Sequence, residues 1–105
     1  LRHSSSSRKA ESTKARQDAR GRPCMVRIVG CSGGGEDSIL AHYRLAGYCG
    51  TGTKPSDTAM AAWCCISCHD IADARKPAPD GWTREAVRLA HAEGCLRTAA
   101  EREKT

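Results

Sequence analysis

The chain has no phenylalanine, and tryptophan and tyrosine together bring its aromatic content to only 4% of 105 residues. A domain this small with so few large side chains builds a thin apolar core, and such domains commonly take a metal or disulfides as staples. No run approaches the roughly 20 apolar residues of a helical membrane span, so none is expected. Residues 1–23 are polar and basic, without the apolar stretch of a signal peptide. No segment repeats another. From these absences a soluble, cytoplasmic protein is expected.

What the chain has in quantity is cysteine, seven in all. In a reducing compartment paired cysteines read as metal ligands before disulfides. The odd count points the same way, since a disulfide framework would leave one thiol over. The net charge is +5 and the isoelectric point is near 9.0. That balance suits a polyanionic partner such as nucleic acid.

Residues 1–21 hold Ser4 to Ser7 and then Arg8, Lys9, Lys14, Arg16 and Arg20, with few apolar side chains. Such a segment buries too little surface to offset its ordering entropy. It is expected to be a disordered basic arm, laid along a phosphate backbone or simply solvated, ahead of an ordered domain over residues 22–105. Met25-Val26-Arg27-Ile28-Val29 is rich in β-branched residues and predicts a strand. The glycines of residues 30–35 predict a turn, and residues 38–43 the returning strand of a hairpin. Cys24 and Cys31 flank its first strand.

Residues 46–58, rich in glycine, read as a loop long enough to carry function. Residues 58–63 are small and apolar and predict a short helix. Residues 68–75 predict another, stopped ahead of Pro77. Thr83 is a good N-cap, with Trp82 and Val87 at hydrophobic-staple spacing. Ala86, Leu89 and Ala90 form an apolar helical stripe, Gly94 predicts the C-cap, and residues 95–103 a last helix. The fold class is therefore α+β.

The chemistry concentrates in Trp63-Cys64-Cys65-Ile66-Ser67-Cys68-His69-Asp70. A Cys-x-x-Cys turn offers two thiolates in one rigid knuckle, and a structural zinc site takes four tetrahedral ligands. Cys24 and Cys31, with six residues between them, supply the other two. The expected zinc site is Cys24, Cys31, Cys65 and Cys68, with Cys64 as the alternative to Cys65. Cys49 and Cys95 lack a partner at ligand spacing and read as free thiols. The competing reading is that all seven are small buried apolar residues.

If Cys68 opens a helix, His69 and Asp73 stand four apart on one face. Imidazole and carboxylate together suit Mg²⁺, Mn²⁺ or a transition metal. His42, at the end of a predicted strand, is either a core histidine or a functional one. His91 reads as packing or surface, and His3 belongs to the arm.

A hairpin bearing a histidine, followed by Cys-x-x-Cys-His opening a short helix, resembles the HNH (ββα-metal) endonuclease motif. More closely, the chain resembles the prophage YbcO-type nuclease family across about residues 16–100. The residues that carry the likeness are Arg22-Pro23-Cys24, Cys31, Leu40-Ala41-His42 with Arg44, Ala46-Gly47, Gly50 with Gly52, Lys54 with Asp57, Trp63 through Asp70, Thr83-Arg84-Glu85, Gly94 and Leu96-Arg97-Thr98. The resemblance implies a small zinc-stabilised ββα-metal domain with a C-terminal helical segment. It implies a metal-dependent endonuclease or nickase that hydrolyses DNA, with Mg²⁺ or Mn²⁺ as the catalytic cation.

By position, His42 on the hairpin's second strand resembles the general base and His69 the helix metal ligand. Asp73 falls where some such sites place a second ligand. Asp57 stands where an asparagine usually orients the base. Ala41 stands where such sites usually supply Asp or His to the metal, so the first coordination shell is expected to be weaker, completed by another residue such as Asp70, or absent. Arg44, Lys54, Arg75 and Lys76 are the expected phosphate contacts. The alternative is a zinc-stabilised module that binds nucleic acid without cutting it.

Overall fold

The computed structural model of the chain describes residues 14–48 and 55–104. Two short strands and two helices form its frame: β1 (Ile39–His42), β2 (Ala61–Cys64), then helices Ile66–Ala72 and Arg84–Glu103. Residues 14–19, upstream, are also helical. In chain order these three helical segments are α1, α2 and α3.

β1 and β2 pair antiparallel, with Leu40 opposite Trp63 and His42 opposite Ala61. Side chains alternate faces along a strand, and here both faces are covered. Ala41, Ala62 and Cys64 join the main core with Val26, Ile28, Ile71 and Val87. Leu40, Ala61 and Trp63 join a second cluster with Met25 and the α1 residues Ala15 and Ala19.

That double burial corrects the short helix predicted over residues 58–63. A strand buried on both sides has no polar alternation, so an alanine-rich one is easily read as helix. The hairpin is also re-partnered. Residues 25–29 form no strand, because Arg27 takes a left-handed φ of 61° that breaks the extended path. Met25 N–H reaches the Trp63 carbonyl at 2.8 Å, and Met25 carbonyl accepts from Arg97 Nη1 at 2.8 Å. Val26 and Ile28 are buried as loop residues. His42 therefore sits on the first strand of the hairpin rather than the second.

The arm expected over residues 1–21 also changes. Residues 14–19 are helical because Ala15 and Ala19, four apart, bury against Trp63 and Leu40 and leave the charged side chains outward. Arg22 and Arg102 each lie over the Trp63 ring, 4.8 and 5.4 Å from its centroid. Residues 1–13, with His3, lie outside the described residues.

α3 begins as the sequence predicts, with Thr83 Oγ1 accepting from Ala86 N–H at 3.0 Å. It does not stop at Gly94 but runs on to Glu103. Gly94 is there for contact: a Cβ at this position would lie 2.9 Å from Val26 Cγ2 and 3.1 Å from Met25 O. One turn further on, Thr98 Oγ1 accepts from Trp63 N–H at 3.0 Å and donates to the Gly94 carbonyl at 2.8 Å. These two residues lock α3 against β2 and the cysteine-bearing loop. Among the described residues no helix is long and apolar enough to cross a membrane.

Candidate metal centre and active-site cleft

Cys24, Cys31, Cys65 and Cys68 converge, with their sulfurs all within 4.8 Å of one another. Four sulfurs about 2.3 Å from one zinc in a tetrahedron stand about 3.8 Å apart. The Cys31 and Cys65 sulfurs are 3.8 Å apart. The backbone is arranged for sulfur acceptors: Gly33 N–H donates to Cys31 Sγ at 3.2 Å and Cys68 N–H to Cys65 Sγ at 3.4 Å. Cys65 thereby serves as the N-cap of α2. Gly34 closes the upstream loop. Its φ of +88° and the 2.5 Å between a would-be Cβ and Cys24 N leave room for no side chain. The residues present thus fit a metal ion held by four thiolates.

The thiols differ in character. Hydrogen bonding to Cys64, then to Cys68, draws Cys24 well below the ordinary thiol range. Burial pushes Cys31 up to about 11. Cys64 lies outside the group of four. Its hydrogen bonds to Cys24 and Cys68 drive it upward, which keeps it a thiol, and its S–H donates to the Cys65 carbonyl at 3.3 Å. Cys95 is raised to about 11 by burial alone, as befits an inert core thiol. Cys49 lies outside the described residues.

α2 carries the metal cluster into a second feature. Cys68 and Ile71 face the core, while His69 Nε2 lies 3.1 Å from Asp73 Oδ2, one turn on. Across from them His42 Nε2 is hydrogen-bonded to Asp57 Oδ1. His42, Arg44, His69, Asp73 and Arg75 line one cleft of about 340 Å³. The structure therefore brings together the two histidines, Asp73, Arg44 and Arg75, with Asp57 behind His42.

Other expected residues fall elsewhere. Asp70 does not line the cleft and lies 3.7 Å from Arg75; Arg75 also reaches Asp73 at 3.4 Å. Lys76 turns to Ser67 Oγ at 3.1 Å. Lys54 lies outside the described residues. Ala41 is fully buried among core residues, so its side chain offers nothing to the cleft.

Two residues take a part here that the sequence did not assign them. Of packing and surface, His91 packs: it is 7% exposed, its Nε2–H donates to the Ala41 carbonyl at 3.0 Å, and it meets the Tyr43 ring edge-on at 5.3 Å. It thus holds the residues on either side of His42, and burial lowers its pKa below the ordinary value. Arg84 donates to the carbonyls of Ile71 and Ala72 at 2.8 and 3.0 Å, capping α2 where Asp73 emerges. The glycine-free start of α3 beside its N-cap gave no sign of that reach.

The fold and these two features define a small α+β protein with a four-cysteine metal-type cluster beside a two-histidine cleft. The chain belongs to the family described as Putative nuclease YbcO, whose family model matches residues 13–105. "Putative nuclease YbcO" of Escherichia coli strain K12 and "Putative nuclease ybcO" of Enterobacteria phage 82 are each 49% identical to it over 85 residues, covering 79% of this chain and 83% of theirs. A solved structure, described as that of a putative bacteriophage protein from Escherichia coli K-12 MG1655, matches with a TM-score of 0.66 at 37% identity. That match covers 85% of this chain and 95% of the other.

Proposed function

We propose that this chain is a metal-dependent, HNH-like (ββα-metal) endonuclease or nickase that hydrolyses phosphodiester bonds in DNA, with a structural zinc held by Cys24, Cys31, Cys65 and Cys68. The observation that carries the reading is the single cleft lined by His42 and His69 together with Arg44, Asp73 and Arg75. The strand–strand–helix order of β1, β2 and α2 supports it, as do the names of the relatives.

His42 donates Nε2–H to the Asp57 carboxylate, which fixes the tautomer and leaves the Nδ1 lone pair as a general base. Nδ1 takes a proton from water, the water oxygen bonds to phosphorus, and the ester P–O bond breaks. The products are a phosphate monoester end and a hydroxyl end. His69 and Asp73 offer one nitrogen and one carboxylate, a small donor set that suits Mg²⁺ or Mn²⁺, which keep several waters. Bound there, such a cation stabilises charge on the phosphoryl oxygens and leaving oxygen. Arg44 adds a fixed positive charge, and Arg75 holds Asp73.

The test is cleavage of supercoiled plasmid with added Mg²⁺ or Mn²⁺. Nicked or linear product is expected from the wild type, and His42→Ala should lower the rate by about 10²–10⁴. Equal rates in the two proteins reject the role of His42. One observation favours a second reading, a zinc-stabilised nucleic-acid-binding module without catalysis. Ala41 is buried and brings no ligand, and among the described residues the four cysteines are the one group of three or more at ligand spacing. Salt-dependent DNA binding with no cleavage under any cation selects that reading.

A further inference from the structure

A second, smaller cavity of about 130 Å³ adjoins the cleft; His42, Arg44 and Asp73 line both. Arg88, from α3, lines the smaller one together with Tyr43 and His91. The setting of Arg88 differs from that of the other arginines nearby. Arg75 is engaged by Asp70 and Asp73, Arg84 by two carbonyls, and Arg97 by Glu93 and the Met25 carbonyl.

Arg88 is held by a neutral group. Its Nη2 donates to the Tyr43 hydroxyl at 3.0 Å, and its Cζ lies 4.9 Å from the centroid of the same ring. Among the described residues no carboxylate pairs with it or with Arg44. The cavity wall therefore carries two positive charges that no carboxylate pairs with, one of them pre-oriented by stacking and a hydrogen bond, while the carboxylate in the same wall, Asp73, is engaged by His69 and Arg75. A guanidinium so ordered, with donors to spare, matches the oxygens of a phosphodiester.

We infer that Arg88, with Arg44, binds a second phosphodiester of the same strand, next to the one in the cleft. The bound strand then runs from the Arg75 side, past His42, onto α3. This inference rests on the polynucleotide reading of the cleft. The contact fixes the register of the strand and reads no sequence, as phosphate contacts do.

The experiment is fluorescence anisotropy of a short labelled DNA duplex against increasing NaCl, on the zinc-loaded protein without added Mg²⁺ or Mn²⁺. Each phosphate contact contributes about 0.9 to the slope of log affinity against log salt. Arg88→Gln should lower the slope by about 0.9 and weaken binding several-fold at low salt. Arg88→Lys should keep the slope but bind more weakly, since lysine lacks the planar fork. Lys104 serves as the control: it pairs with Glu101 and lies about 24 Å along the helix from Arg88 at 1.5 Å per residue. Lys104→Gln should leave the slope as it is.

A wild type that binds, with Arg88→Gln giving an unchanged slope, overturns the second phosphate site and leaves the cleft reading standing. Equal losses from Arg88→Gln and Lys104→Gln also overturn it, because overall charge then accounts for the effect. A wild type with no salt-dependent binding rejects the cleft reading itself.

Discussion

A methyl group on Gly94 has no free space to enter: its carbon would stand 2.9 Å from Val26 Cγ2 and 3.1 Å from both Met25 O and Val26 Cα. Glycine inside a helix ordinarily costs about 1 kcal/mol relative to alanine, so on propensity alone Gly94→Ala should stabilise. Against that, forcing a methyl into a close-packed contact costs about 1–3 kcal/mol. Two of the three crowded atoms are backbone and cannot rotate away. The clash outweighs the propensity gain, and Gly94→Ala should lower the melting temperature by about 5 °C or more. A thermal melt decides; a rise would mean that α3 and the Cys24 loop can separate at little cost. In sequence Gly94 looked like a helix end because glycine's commonest helical use is the C-cap. Its actual use depends on Val26, 68 residues away in the chain, and no local pattern carries that.

At the scale of elements, His91 joins α3 to β1. Its bond to the Ala41 carbonyl and its edge-on contact with Tyr43 bracket the strand end that presents His42. Burial keeps this imidazole neutral, lowering its pKa below the ordinary 6.5, and the Ala41 bond only partly offsets that. In the unfolded chain the same group takes up a proton as pH falls through about 6.5. Below that pH the unfolded state binds more protons than the folded one, so stability is full above it and is lost as pH falls. Wild type should therefore lose more stability between about pH 7 and pH 5 than His91→Gln, which keeps an amide donor for Ala41 and does not titrate. Denaturant melts at several pH values measure it; parallel losses in the two proteins would show that His91 is not the sensor.

The elements themselves were unevenly legible. The staple at Trp82 and Val87, the Thr83 cap and the pairing of His69 with Asp73 are local, and the sequence marks them. The partner of β1 was not, because residues 25–29 have the better strand composition. The true partner, Ala61–Cys64, is buried on both faces, which removes the alternation that marks a strand. The cleft was legible in its residue types and spacing, which pointed to its histidines, whereas the smaller cavity beside it takes Arg88 and His91 from a helix far along the chain.

At the scale of the whole molecule, the missing phenylalanines have a structural counterpart. The largest fully buried side chains are Ile28, Val26, Val87, Thr98 and three cysteines. Three of the four clustered thiols, those of Cys24, Cys65 and Cys68, are themselves core residues. The cluster ties the upstream loop to the β2–α2 junction, beside the Met25–Trp63 hydrogen bond and the packing of Val26 and Ile28. Structural zinc contributes about 10–16 kcal/mol to folding in small zinc-finger peptides, and a domain's whole net stability is about 5–15 kcal/mol. A zinc held here would account for most or all of the margin. A strong chelator should then abolish the cooperative thermal transition at neutral pH, with re-added zinc restoring it. Cys65→Ser and Cys68→Ser should behave like the chelated wild type. Cys64→Ser should keep the metal, because Cys64 is a thiol beside the cluster and not one of the four. Metal analysis should count about one zinc per folded chain, as four thiolates complete one tetrahedral shell. A melting curve unchanged by chelator would remove zinc from the fold and leave the four thiols as packing alone. Because His69 follows Cys68 directly, chelation should also abolish cleavage when Mg²⁺ is resupplied without zinc. Cleavage surviving that treatment would separate the cleft from the cluster.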